Sequence, residues 1–216
     1  MTRLAFVDDG ERDPLVFIHA GIADARMWQP QADRFANDWR VVRPDLRGFG
    51  GTAHGEGEYR HATDLAGLFL DLGLSPSVVV GASMGGGVAI DLALDHPDLV
   101  RGLVLVGSTY GGFRFLEPAL FDQWRVLTDI YEAGRLDEAA EVETEIWSGP
   151  STSPEVKRAV VEMVRLSYEH GEIEEAEIKP PASERLGELE MPTLIVFGEE
   201  DRVDIARAAD ELVNSI

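Results

Sequence analysis

The sequence predicts an α/β fold with a doubly wound, mostly parallel sheet and a helical insertion. Short apolar runs alternate with segments whose apolar spacing is helical, as expected for parallel strands that helices cover on both faces. This alternation breaks between about residues 111 and 183, where the apolar spacing is helical throughout. We therefore expect a core formed by residues 1–110 and 184–216, with residues 111–183 inserted between two of its strands.

Six apolar runs are the predicted strands of this core. They are Leu4–Val7, Leu15–His19, Arg40–Arg43, Val78–Val80, Leu103–Val106 and Thr193–Phe197. Gly73 follows a stripe of apolar residues and predicts the end of a helix. The segment 88–93 has little polar surface, which predicts a central, buried helix. Ile205, Ala208 and Leu212 mark the last helix of the chain.

The inserted segment is predicted to be a set of amphipathic helices. Leu116, Leu120, Trp124 and Leu127 follow helical spacing, and acidic residues fill the other faces. A helical insertion between two strands is expected to form a lid over the ends of the sheet. The alternative is a set of additional core helices that do not control access to a site.

The composition limits the classes of partner. A net charge of −21 argues against nucleic acid or an anionic membrane as partner, because phosphate groups would be repelled. The absence of cysteine excludes disulfides and thiolate catalysis. The start of the chain lacks a signal peptide pattern, and no apolar stretch approaches the ~20 residues of a membrane span. We expect a cytoplasmic protein with a small-molecule substrate, and a homo-oligomer is possible.

The stretch VVVGASMGGGVA, residues 78–89, is compatible with two kinds of site. Its glycines suit either the pyrophosphate of a dinucleotide or a sharp turn that holds Ser83 as a nucleophile. A dinucleotide loop belongs to a unit whose next strand ends in an acidic residue, whereas the next strand here ends in Gly107, Ser108 and Thr109. No tyrosine downstream of the loop has lysine four positions later, as in short-chain reductases. The serine interpretation is therefore favoured.

The glycines around Ser83 fit a nucleophile elbow. In a strand–turn–helix elbow the nucleophile has strained backbone, so the residues two before and two after it must be very small. Gly81 and Gly85 meet that requirement. The helix that starts after Ser83 would place partial positive charge beside an oxyanion. The alternative is that Ser83 is an ordinary turn residue.

Two further turns strengthen this interpretation, and with them the chain resembles the α/β-hydrolase family over nearly its whole length. LVFIHAG at 15–21 matches the family's His-Gly-x turn, although Ala20 replaces the usual glycine with another small residue. DLRGFGGT at 45–52 matches its Asp-x-Arg-Gly-x-Gly turn. In this comparison we expect His19 to buttress the oxyanion loop and Arg47 to organise its own loop.

The resemblance also implies the other catalytic residues. The backbone N–H groups of Gly21 and Met84 correspond to the oxyanion donors, and Asp201 in LIVFGEEDRV corresponds to the catalytic acid. An N-cap of the last helix is the alternative role for Asp201. No metal and no cofactor is expected.

The catalytic histidine of the family has no counterpart in this sequence. The family order is serine, acid, histidine, and no histidine follows Asp201. The five histidines are His19, His54, His61, His96 and His170. His96 would lie at the far end of the helix that Ser83 opens, so it cannot be the base. None of the five occupies the family's position, although His54 and His170 could approach the pocket mouth. The chain is expected to be truncated before the family's last strand, histidine loop and final helix.

The predicted function is that of a serine hydrolase with an acyl-enzyme on Ser83 and Asp201 as the residue that orients a histidine. Serine at the elbow favours a small, largely apolar ester, lactone, thioester or C–C diketone, and serine-bearing peroxidase-like members of the family are not excluded. The alternative is a non-catalytic, ligand-binding member of the fold. The 216 residues alone are expected to be weakly active or inactive.

Overall fold

The computed structural model of the protein describes residues 3–74, 76–171, 175–176 and 178–216. Within these residues a six-stranded sheet forms the centre of the molecule, in the spatial order β1-β3-β2-β4-β5-β6. Its strands are β1 (Phe6–Asp9), β2 (Pro14–Ile18), β3 (Arg40–Pro44), β4 (Ser77–Ala82), β5 (Val100–Val106) and β6 (Thr193–Val196).

The sheet is parallel except at one edge. Strands β3, β2, β4, β5 and β6 run parallel, and β1 pairs antiparallel with β3. The predicted mostly parallel α/β fold is thus confirmed, but the first strand was wrong by two residues, since it spans Phe6–Asp9 rather than Leu4–Val7. Asp8 and Asp9 belong to this edge strand because each forms an ion pair with an arginine of β3, Arg40 at 2.7 Å and Arg43 at 2.8 Å.

Helices cover both faces of the sheet. The helices are α1 (Gln29–Phe35), α2 (His61–Leu72), α3 (Met84–Asp95), α4 (Pro118–Glu132), α5 (Leu136–Trp147), α6 (Pro154–His170) and α7 (Val203–Ser215). Gly73 ends α2 in the left-handed conformation, with φ at 63°, as its position predicted.

The core consists of one apolar layer on each side of the sheet. On one side, Val16 and Val79 pack with residues of α2, α3 and α7, such as Phe69, Ile90 and Leu212. On the other side, neighbouring residues of the same strands pack against Trp28 and α1. Successive strand residues alternate between the two layers because side chains of a strand point to opposite faces. This arrangement fixes the strand ends from which the site is built.

The helices α4, α5 and α6 lie between β5 and β6, within the predicted insertion, and are called the cap helices below. Asp204, at the start of α7, binds the segment that leads into the cap helices. Its carboxylate accepts hydrogen bonds from the N–H groups of Leu116 and Glu117 at 2.7 and 2.9 Å and pairs with Arg207 at 2.8 Å. Burial alone would raise the pKa of Asp204, but these partners outweigh it and lower the pKa.

Strand β6 is the outer strand on its side of the sheet in the described residues. Leu194 and Val196 are 57% and 42% exposed, and Phe197 after the strand is 45% exposed. An open apolar edge of this kind favours pairing between chains. In the described part of the chain, no helix is both long enough and apolar enough to cross a membrane.

Candidate active site

Ser83 lies in a sharp turn between β4 and α3. Its φ and ψ are 49° and −117°, and it is the one non-glycine residue with positive φ in the described structure. Its N–H donates to the Val106 carbonyl at 2.9 Å, and its carbonyl accepts from Gly86 at 3.0 Å. A side chain is held in this rarely populated region only where the surrounding structure imposes it. The turn therefore has the geometry of a nucleophile elbow.

The glycines on either side of Ser83 allow this turn because there is no space for a side chain. A Cβ atom on Gly81 would lie 2.4 Å from the Gly85 carbonyl oxygen. A Cβ atom on Gly85 would lie 2.4 Å from the His19 carbonyl oxygen and 2.5 Å from that of Ile18. Close approach of α3 to β2 and β4 thus depends on both glycines.

Replacement by alanine is expected to have opposite effects on stability at two glycines of α3, Gly85 and Gly87. Gly85→Ala is expected to lower the free energy of unfolding by about 1–3 kcal/mol, because an added methyl group overpacks backbone that has little freedom to move. Gly87→Ala is the matched control, since its Cβ would lie 3.4 Å from the Thr109 carbonyl oxygen and alanine favours the helix. Urea denaturation of both variants measures the difference. Equal stability of the two variants would contradict the packing at Gly85.

The predicted oxyanion donors lie side by side next to Ser83. A Cβ atom on Gly21 would lie 3.4 Å from Sδ and 3.6 Å from Cβ of Met84, and both residues line the same cavity as Ser83. Within the described residues, the N–H groups of Gly21 and Met84 donate no hydrogen bond. Met84 is also the first residue of the 12-residue helix α3, whose N-terminus favours negative charge.

His19 supports the turn that carries Gly21. It is fully buried, its Nδ1 hydrogen-bonds to the Ala20 carbonyl at 2.8 Å, and its Nε2 accepts from the Leu46 N–H at 3.0 Å. Because Nε2 acts as an acceptor, the ring is a neutral hydrogen-bonding group, and burial, as the main cause, lowers the pKa of His19. This agrees with the structural role expected for it.

Arg47 organises the loop that His19 contacts. Its guanidinium donates to both carboxylate oxygens of Asp64 at 2.8 and 2.9 Å and to the His54 carbonyl at 2.9 Å. It also lies 4.7 Å above the ring of Tyr59. Both members of the Arg47–Asp64 pair are buried. The predicted role of Arg47 as a loop organiser therefore fits the structure.

Asp201 reaches the same region from the loop between β6 and α7. Its Oδ2 lies 3.5 Å from the position that a Cβ atom on Gly107 would take. Gly107 directly follows Val106, whose carbonyl accepts the Ser83 N–H. Arg202, not Asp201, is the N-cap residue of α7, and the Asp201 Oδ1 accepts from the Arg202 N–H at 2.9 Å. The predicted serine and acid thus converge at the end of β5.

The described histidines do not line the cavity that contains Ser83. The two candidate bases instead connect the loop between β3 and α2 to the end of α6. His54 Nε2 bonds to the Gly171 carbonyl at 2.5 Å, and His170 Nε2 bonds to the Gly50 carbonyl at 2.9 Å. His61 is buried, and this burial lowers its pKa to about 4. His96 follows the last residue of α3.

A cavity of about 510 Å³ lies between the elbow and the cap helices. Its floor includes Gly21, Ser83 and Met84. Phe115, before α4, and Trp124 and Trp147, on the cap helices, form part of its apolar wall. Residues of α4 and α5 therefore line the same cavity as Ser83.

Sequence reasoning missed two polar residues of the cavity wall, Thr109 and Glu143, of which Glu143 of α5 is ionisable. Its carboxylate accepts a hydrogen bond from the Tyr168 hydroxyl at 2.5 Å. Burial raises the pKa of Glu143 against the opposing effect of this hydrogen bond. In the sequence Glu143 is one of several acidic residues of α5. The one feature that could have indicated a place in the cavity wall was its position four residues before Trp147, on the same helix face.

The fold, the elbow and the two supporting turns define a member of the α/β-hydrolase class. The family model for the alpha/beta hydrolase fold matches residues 13–216, and the chain belongs to this family.

Several relatives indicate the range of activities within this family. The chain is 30% identical over 216 residues to a 2-hydroxymuconate semialdehyde hydrolase of Pseudomonas putida, a match that covers 91% of this chain and 73% of the relative. It is 32% identical over 130 residues to pyrrolizixenacetamide deacetylase of Xenorhabdus hominickii, covering 58% and 48%. The chain spans about half the length of several curated relatives that it matches.

A solved structure of a thermophilic esterase from Thermogutta terrifontis is similar to this fold. Its TM-score is 0.76 at 29% identity, and the similarity covers 99% of this chain and 81% of the esterase chain.

Proposed function

We propose that the protein is a serine hydrolase that forms an acyl-enzyme on Ser83. The observation that carries this proposal is the positive-φ serine at a strand–helix elbow that opens into an apolar cavity. Relatives named as an esterase, a deacetylase and a semialdehyde hydrolase support acyl chemistry in general. The substrate class is a small, largely apolar ester, lactone, thioester or C–C diketone.

In the proposed mechanism the Ser83 hydroxyl oxygen attacks the substrate carbonyl carbon. A new C–O bond forms, the carbonyl π electrons move to oxygen, and the N–H groups of Gly21 and Met84 stabilise the resulting oxyanion. Collapse of this intermediate expels the leaving group, which takes up the proton lost by Ser83. Water then attacks the acyl-enzyme by the same steps and releases the acid and the free serine.

The proton of Ser83 requires a general base, and we propose that this base is an imidazole oriented by Asp201. The five histidines of the described structure all lie elsewhere, so none is assigned this role. Positioned general bases contribute about 10²–10⁴-fold to rate. Oxyanion donors and binding alone leave roughly 10³–10⁴-fold over water. We therefore expect the protein to be a weak catalyst unless imidazole is supplied.

Free imidazole is expected to increase the reactivity of Ser83. A fluorophosphonate probe should modify the protein at least about tenfold faster with imidazole than without it, because imidazole can enter the cavity and accept the Ser83 proton. Asp201→Asn should remove most of this gain, since the ring would lose its orienting carboxylate. The matched control is Asp210→Asn, an exposed aspartate of α7. Intact-mass spectrometry over time measures the rates.

Two results would contradict this proposal. Labelling of Ser83 that is fast without imidazole would mean that a base is already present, and His54 and His170 would be the first residues to replace. A gain from imidazole that survives Asp201→Asn unchanged would remove Asp201 from its proposed role.

A second candidate function is ligand binding without turnover. It is favoured by one observation, the absence of histidine from the cavity lining in the described residues. In that case Ser83 would stay unmodified by the probe whether imidazole is present or not.

A further inference from the structure

Glu143 is an ionisable group in the cavity that the acyl transfer does not use. It lies on α5 and shares the cavity wall with Phe115, Trp124 and Trp147. Its Oε2 accepts the Tyr168 hydroxyl, and its carboxyl group has no ion pair in the described part of the chain. A desolvated carboxylate without a cationic partner gains free energy when a cation arrives.

The ionisable side chains that line the cavity in the described structure are acidic, while Arg202 lies outside the lining, with its guanidinium carbon 5.3 Å from the Trp147 ring centroid and an ion pair to Glu117. Among the described residues that line the cavity, the ionisable ones are Glu143 and Asp201, and no lysine, arginine or histidine contributes. The whole protein carries a net charge of −21. A cavity lined by one sign of charge attracts the opposite ion and repels a like one. On this ground we expect an anionic ligand to bind in the cavity more weakly than a cationic one of the same shape.

The aromatic wall is suited to an organic cation. The ring centroids of Phe115 and Trp124 are 5.3 Å apart, those of Trp124 and Trp147 are 6.4 Å apart, and those of Phe115 and Trp147 are 6.5 Å apart. The three rings thus form a triangle at the cavity wall beside Glu143. The rings pack edge to face or tilted against one another, at interplanar angles of 81°, 65° and 50°, so a cation would bind on a ring face that is open to the cavity, where the carboxylate of Glu143 adds the opposite charge.

We propose that the cavity selects substrates with a positively charged group, such as an ester or amide with an alkylammonium substituent. Glu143 and the three rings bind the cation, and the acyl carbon faces Ser83. The inference rests on the proposed function, because it takes the cavity over Ser83 as the substrate site. It goes beyond that function by fixing the charge of the substrate.

Three ligands of nearly equal shape test the charge preference by binding alone. They are choline, which is cationic, 3,3-dimethylbutan-1-ol, which is neutral, and 3,3-dimethylbutanoate, which is anionic. Trp124 and Trp147 line the cavity, so quenching of tryptophan fluorescence reports occupancy. We expect choline to bind about tenfold or more tightly than the neutral alcohol, and the anion to bind most weakly.

Glu143→Gln keeps the size of the side chain and its acceptor for Tyr168 but removes the charge. The substitution should reduce the preference for choline over the alcohol to about threefold or less. This remaining preference is the part that the aromatic rings supply. The matched control is Glu141→Gln, an exposed acid on the same helix. This control removes one negative charge from the protein but should leave the preference unchanged.

The proposal is overturned if the butanoate binds as tightly as choline, if none of the three ligands binds, or if the preference for choline survives Glu143→Gln. Binding requires no reaction at Ser83. Failure of probe labelling with intact choline selectivity would therefore count against the proposed hydrolase, and labelling of Ser83 without choline selectivity would count against this inference alone.

Discussion

Replacing Ser83 with alanine is expected to abolish covalent modification by a fluorophosphonate probe, both with and without imidazole. The probe forms a phosphorus–oxygen bond and releases fluoride, so it requires a nucleophilic oxygen beside anion-stabilising donors. The elbow places Ser83 directly before α3, next to Gly21 and Met84, whose N–H groups donate no hydrogen bond to another described residue. Since the variant has no such oxygen, the whole imidazole-dependent gain of at least about tenfold should disappear.

Thr109→Val is the control for this experiment. Thr109 is the other hydroxyl-bearing residue on the cavity wall in the described structure, but its backbone is not part of the elbow. The valine variant should retain labelling with the imidazole dependence of the unmodified protein. Labelling that persists in Ser83→Ala and is lost in Thr109→Val would mean that Thr109, and not Ser83, is the nucleophile.

Asp64→Ala is expected to be the most destabilising of the substitutions considered, lowering the free energy of unfolding by about 3–5 kcal/mol. The substitution leaves the Arg47 guanidinium buried without its bidentate partner, and both side chains of this pair are at most 5% exposed. The loop from Asp45 to Thr52 would lose its anchor on α2, and His19 contacts this loop through Leu46. The urea midpoint of unfolding measures the loss.

The exposed pair of Arg135 and Glu138 provides the matched control. Its side chains are 53% and 49% exposed, and exposed ion pairs contribute about 0–1 kcal/mol. Glu138→Ala should therefore leave the midpoint nearly unchanged. A loss in Asp64→Ala no larger than in Glu138→Ala would mean that the buried pair does not hold the loop.

The elbow was predictable from sequence because its requirements are local. Gly81 and Gly85 are needed for steric reasons that depend on positions two residues from Ser83, and the apolar runs on either side determine the strand and the helix. The assignment of Asp201 as the acid came from the family resemblance, whereas the order of the strands was not predicted. His19 and Arg47 belong to short motifs whose contacts reach across neighbouring strand ends.

Other features depend on contacts between distant segments and leave little trace in the sequence. The acidic residues of β1 belong to the sheet because β3 supplies Arg40 and Arg43 opposite them. Glu143 enters the cavity because of how α5 packs on α6, where Tyr168 binds it. Asp204 binds the N–H of Leu116, 88 residues earlier in the chain, in the segment that leads into the cap helices. Periodicity predicts such helices but not which of their acidic side chains face the cavity.

The most direct test of the central claim is to map the site of covalent modification. The protein is reacted with the fluorophosphonate in the presence of imidazole, digested, and analysed by tandem mass spectrometry. We expect one adduct, on Ser83, in the peptide that contains Gly81 and Gly85. An adduct on Thr109 or on a residue outside the cavity, with Ser83 unmodified, would contradict the assignment of Ser83 as the nucleophile.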